Sequence, residues 1–182
     1  MESETFSNAI SSGFWKECAG TMPQPYLAVV LDVLRVLDAA GEVTSVRSRW
    51  PSKGAHGRQG KIPLLTHSIN VARICGEVSG GGTLRCPAMI AGLAHDIGKL
   101  PQFHQGEYVA VMHAHCGAVG LAEIIGLRLN DREVTAVINA VEKHHIPGSG
   151  AILKILRKAD RLAREREEQT VVAAISSPTI PF

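Results

Sequence analysis

The chain has no CxxC pair. Its four cysteines, Cys18, Cys75, Cys86 and Cys116, are scattered, which reads as reduced thiols rather than a disulfide framework. It has no long apolar run. The nearest to one, YLAVVLDVLRVLDAA, is interrupted by Asp32, Arg35 and Asp38 and cannot cross a membrane as a plain hydrophobic helix. The opening stretch MESETFSNAISSGFWKE is polar and acidic and contains no signal-peptide core. Together these absences predict a cytoplasmic protein. Strong charge of either sign is also missing. Nineteen basic against 17 acidic residues leave a net charge of +2, too mild to argue for nucleic acid by itself. There is no internal repeat and no succession of alternating strands.

What remains is 182 residues, 45% hydrophobic and 20% charged, enough for one domain with a real core. Eight histidines are present. His56 sits in a Gly-rich stretch, and the other seven fall between His67 and His145.

Helical periodicity organises the chain. Residues 1 to about 25 read as a loose arm with the aromatic pair Phe14 and Trp15. Apolar residues recur at helical spacing from Pro25 to Ala40, with Gly41 as the C-cap. The segment TSVRSRWPSKGAHGRQGKI, with Arg47, Arg49, Lys53, Arg58 and Lys61, reads as a basic surface loop. Further helices are expected over about Pro63–Val78, Pro87–Ile97, Glu107–Leu127, Asp131–His144, with Asp131 as the cap, and Ala151–Glu168. Six helices joined by short loops make an all-α fold, a helical bundle. The expected layout is an N-terminal helical arm, helix and basic loop over 1–62 packed on the core, a domain of about six core helices over 63–169 and a tail over 170–182.

Polar residues interrupt the inward faces of these helices. His67 lies on the stripe Leu64, His67, Val71, Ile74, and Asp160 on the stripe Leu153, Leu156, Asp160, Ala163. His95 and Asp96 stand side by side where an apolar run ends, in MIAGLAHDIGKLPQFHQ. His113 precedes Gly117 by one turn, and the apolar face of the next helix leads to His144 and His145. Burying unpaired polar groups costs several kcal/mol, roughly. Neutral imidazoles and carboxylates can share a dry interior when a cation balances them. Nitrogen and oxygen donors together suit iron, manganese or zinc, and a shared Asp can bridge two ions roughly 3.5–4 Å apart.

The elements LLTHSINVA, AGLAHDIGKL, MHAHCGAVG, VEKHH and LRKADRLA, in that order, resemble the HD-domain superfamily of metal-dependent phosphohydrolases over about residues 63 to 168. The resemblance implies one ion held by His67, His95, Asp96 and Asp160, and a second held by Asp96, His113 and His144. His113 is preferred to His115 because a Gly follows it by four residues. His145 is either a further ligand or a substrate contact. The cyclic-dinucleotide branch, HD-GYP, is similar in HDIGK and HH, but IPGSG replaces its Gly-Tyr-Pro and Pro63 stands where a three-metal member has Glu.

The implied activity is hydrolysis of a phosphomonoester or phosphodiester, of a nucleotide, with Asp96 orienting the attacking water and Lys99 reaching a phosphate oxygen. The implied cofactors are two divalent or mixed-valent transition metal ions. Iron or manganese come first, then zinc, nickel, cobalt or magnesium. The expected partner is a small phosphate ester. Nucleic acid is less supported, and no membrane contact is expected. Two other classes share the ligand set: a di-iron oxygenase, and a module that binds a nucleotide or partner without turnover. Arg161 and Arg164 flank Asp160 and either add charge to the site or, as such residues more often do, pair with Glu165 or Glu168 at the surface.

Overall fold

A computed structural model describes residues 5–40, 43–45, 62–104 and 110–176. Among them are seven α-helices and no strand. The helices are α1 (Ala9–Ala19), α2 (Gln24–Asp38), α3 (Leu64–Val78), α4 (Arg85–Ala94), α5 (His113–Ile125), α6 (Asp131–Glu142) and α7 (Ala151–Ser176). The fold is all-α, as the periodicity predicts. No described helix is long and apolar enough to cross a membrane. The basic residues Arg47, Arg49, Lys53, Arg58 and Lys61, together with His56 and Gly41, lie outside the described residues, as do 105–109 and 177–182.

The N-terminal arm carries the helix α1, which packs on the body rather than hanging loose. Asn8 caps α1, its side chain accepting from the Ile10 N–H. Asp38, at the end of α2, accepts from the Ser7 N–H and hydroxyl, both at 2.7 Å, and from the Asn8 N–H at 3.1 Å. Phe14 is buried in the core, while Trp15, half-buried, packs against its edge together with Phe6. The two aromatics serve different contacts.

α4 is the centre of the bundle and packs against α2, α3, α6 and α7. Every residue from Pro87 to Ala94 is buried. Small residues let its neighbours approach. A methyl group at Gly92 would lie 2.9 Å from Cys75 Sγ and 3.0 Å from Ala72 Cα on α3.

Four helices, α4 to α7, differ from the periodicity at their ends. α4 stops at Ala94, and His95 and Asp96 turn into a short 3-10 segment, Ile97–Lys99. This turn lies directly on α5. A Cβ at Gly98 would be 2.0 Å from the His113 carbonyl oxygen and 2.5 Å from Gly117 N, so only glycine fits. The space beside Gly117 is therefore filled by backbone rather than left open beside His113. α5 begins at His113, after a 3-10 turn over Ala110–Met112, and ends before Gly126, which has φ 53°. α6 is capped by Asn130, not Asp131. Asn130 Oδ1 accepts from the Glu133 N–H at 3.0 Å, and its amide donates back to the Glu133 carboxylate. α7 continues past Glu168 to Ser176.

Candidate metal centre

Five segments bring their polar residues to one interior point. α3 supplies His67, the end of α4 supplies His95 and Asp96, and the start of α5 supplies His113. The turn after α6 supplies His144 and His145, and α7 supplies Asp160. His67, His95, Asp96, His113 and His144 are all buried. The imidazoles form a connected series, with ring centroids 5.3 Å apart for His67–His95 and His95–His144, and 5.5 Å for His113–His144.

Three of the rings are oriented from behind. His95 Nδ1 lies 2.8 Å from the Gly92 carbonyl, and His144 Nδ1 lies 2.5 Å from the Val141 carbonyl. A carbonyl only accepts, so both rings carry their proton on Nδ1 and turn an Nε2 lone pair inward. His67 Nδ1 faces the carboxylate of Glu167, 3.0 Å from Oε1 and 3.1 Å from Oε2.

Asp96 is shared. Its Oδ2 lies 3.3 Å from His95 Nε2. Its Oδ1 lies 3.2 Å from His113 Nε2 and 3.8 Å from His144 Nε2. Two sets of donor atoms result, each within 4.8 Å of one another: His67, His95 and Asp96, and Asp96, His113, His144 and His145. Asp160 Oδ1 joins the first set, 3.1 Å from His67 Nε2 and 3.9 Å from His95 Nε2. His145 Nε2 touches His113 Nε2 at 2.9 Å from the exposed side. His115 points away, exposed and 3.1 Å from Glu142.

The donors fit a cation. His67 Nε2, His95 Nε2, His144 Nε2, Asp96 Oδ1 and Asp160 Oδ1 are buried, and none has a hydrogen-bond partner. His67 Nε2 and Asp160 Oδ1 lie 3.1 Å apart without hydrogen-bond geometry. An unsatisfied buried polar atom costs about 1–3 kcal/mol. Five of them aimed at one place are a site for positive charge, and this buried His/Asp cluster can hold metal ions.

The electrostatics agree. Burial opposes ionisation of Asp96, but His95, Lys99 and His113 outweigh it and hold the carboxyl well below its usual range. Burial is likewise outweighed at Asp160, chiefly by His67, and the carboxyl is depressed. Burial lowers the basicity of His67, but Asp160 and Glu167 reverse this and raise it. Burial, reinforced by His95, pushes the His144 imidazole down to about 3. His145 is lowered by burial and by His113.

Lys99 is buried. Its ammonium donates to Asp96 Oδ2 and, at 2.6 Å, to the carbonyl of Ser45. It is neither a solvated helix-end lysine nor open to solvent.

Two residues at the centre, Glu167 and Ser45, were not singled out by their sequence pattern, and a third, Arg164, was expected chiefly at the surface. Arg164 turns inward instead of pairing at the surface. It donates to Ser45 Oγ at 2.8 Å and lies 3.7 Å from Asp96 and 3.6 Å from Asp160. Arg161 does remain outside, with Glu165. Glu167 is buried behind His67, one step further along the stripe that carries Asp160 and Ala163, so the periodicity contains it. Ser45, fully buried, has no such signal. It is placed by backbone pairing of 43–45 with 62–64, in which Ser45 N donates to Ile62 O and Leu64 N to Val43 O.

A family model for the HD domain matches residues 64–175. No curated protein and no solved structure matches the chain.

Proposed function

The chain belongs to the HD-domain family, which consists mostly of metal-dependent hydrolases, and from that premise we propose that it is a metal-dependent phosphohydrolase. Its proposed substrate is a small phosphomonoester or phosphodiester, of a nucleotide, in preference to nucleic acid. The observation that carries the proposal is the convergence of five unpartnered buried donor atoms in two sets that share Asp96. His67, His95, Asp96 and Asp160 would hold one ion. Asp96, His113 and His144 would hold the other, with His145 at its edge. When bound, such ions, iron or manganese first for this donor set, polarise a phosphoryl oxygen and lower the pKa of a water towards neutrality.

The protein's own groups have distinct tasks. Asp96 faces both donor sets and would orient the attacking water. Lys99 uses two of its three N–H groups on Asp96 and Ser45 and keeps its charge beside the carboxylate, where it would meet a phosphoryl oxygen. Arg164 brings a second cation to the same carboxylate from α7. His145, on the exposed side of His113, would be either a further ligand or a substrate contact.

Metal content of the purified chain, measured beside Asp96→Ala, tests the reading, followed by phosphodiester, nucleotide and oxygen-uptake assays on metal-replete protein. Two ions per chain, lost in the variant, with hydrolysis that depends on them, is the expected result. Oxygen consumption on a substrate without hydrolysis would replace the proposal with a di-iron oxygenase. Bound metal with neither activity would leave a binding module.

A further inference from the structure

We infer that Glu167 is a positioning residue for the first ion, acting through His67. This rests on the metal-centre reading above. The three rings of known orientation are held in two ways. His95 and His144 give their Nδ1 protons to carbonyls three residues earlier in their own chain segments, where helices end and carbonyls are unclaimed. His67 lies inside α3, where the backbone carbonyls serve the helix itself, so its Nδ1–H needs an acceptor from elsewhere in the fold. That acceptor is Glu167, far along the chain on α7.

The carboxylate straddles the Nδ1–H almost symmetrically, at 3.0 and 3.1 Å. It is fixed in turn by the amide of Asn70, which donates to Oε1 at 2.9 Å, and by Arg164, 4.0 Å from Oε2. It is 5% exposed. Asp160 and Glu167 are two turns apart on α7, so one helix grips both nitrogens of one ring. Asp160 meets Nε2 with the donor set, and Glu167 meets Nδ1 from behind. An anionic acceptor locks the tautomer and adds electron density at the opposite nitrogen, more than a neutral carbonyl does. Glu167 therefore makes His67 the stronger ligand of its set.

Glu167→Gln keeps the volume and an oxygen acceptor for Nδ1 but removes the charge. Cobalt(II) titration, read by visible absorption and by competition with a chelator, reports the two sites. Asp160→Ala and His144→Ala identify which transition belongs to which. The expected result is a first-site affinity about 10- to 100-fold weaker, with second-site affinity and the metal-free melting temperature unchanged. A purely structural bridge between α3 and α7 would not split the two sites in this way. Where E167Q lowers the metal-free melting temperature, Asn70→Ala gives the second reading. It retains the charge but loosens the carboxylate, and first-site affinity alone falls severalfold. Wild-type affinities at both sites in these variants overturn the assignment of Glu167. No cobalt bound by the wild-type chain overturns the metal centre, and the assignment with it.

Discussion

The two donor sets share Asp96 but are built differently. The first, with His67, His95 and Asp160, is closed in by α3, α4 and α7 and supported by Glu167, Asn70 and Arg164. The second, with His113, His144 and His145, is assembled from a helix start and a turn, and His145 opens it to solvent. His67 and Asp160, inside helices, are positioned by tertiary packing, whereas His95 and His144, at helix ends, are positioned by their own backbone. The first set should therefore bind tightly and respond to distant substitutions on α7. The second should exchange more readily and meet the substrate.

Removing the shared residue breaks the comparison outright. Asp96→Ala should abolish binding at both sites and leave Lys99 and Arg164 without their common carboxylate. Breaking a buried ion pair costs about 3–5 kcal/mol, and chemical denaturation of metal-free protein would register it. A variant that retains one full-affinity ion would show that the sets are independent. Gly98→Ala should come next. Its methyl group meets backbone on α5, and overpacking of this kind costs about 1–3 kcal/mol. The displaced His113 should weaken the second site more than the first, as titrations of the two sites would show. Equal weakening would mean that the turn supports both.

Single-ligand variants sharpen the contrast. His67→Ala should lose the first ion and keep the second. His145→Ala should keep both, with second-site affinity at most severalfold lower, by the same titrations. Loss of an ion in His145→Ala would make that residue an indispensable ligand. The smallest effect lies away from both sets. Burial opposes ionisation of Asp38, but hydrogen bonds from Ser11, Ser7 and Asn8 outweigh it and depress its pKa below the ordinary 3.8. A depressed carboxyl stabilises the fold above that value and loses its contribution as pH falls through the folded value. Asp38→Asn should thus cost about 1 kcal/mol at neutral pH and leave metal content unchanged. The melting curves of wild type and variant should converge in acid. A gap that persists there would place the effect elsewhere than in the charge.

Much of this arrangement was legible in the chain. Helical periodicity alone turned His67 and Asp160 inward, and the His-Asp pair at the end of an apolar run marked the turn at the centre. Arg164 was weighed mainly as a surface partner and Glu167 was not read, because long charged side chains on helices are usually solvated, and only the packing of α7 on α3 makes these two interior. Glu167 does continue the stripe of Asp160 and Ala163, so its register was available. α1 falls in the N-terminal arm expected to be helical, but how it docks was not legible, because that depends on Asp38 and on the pocket that takes Phe14. Ser45 had no register to read. Its place follows from a backbone pairing between segments separated by 46–61.

That pairing has a practical consequence for anyone dissecting the molecule. The family match begins at residue 64, yet the carbonyl and hydroxyl of Ser45 hold Lys99 and Arg164, the two cations beside Asp96. A fragment trimmed to the matched boundary would keep all seven proposed ligands and still lose the clamp that sets their charge balance. The smallest piece worth purifying starts before Val43, and the recognisable domain is narrower than the working one.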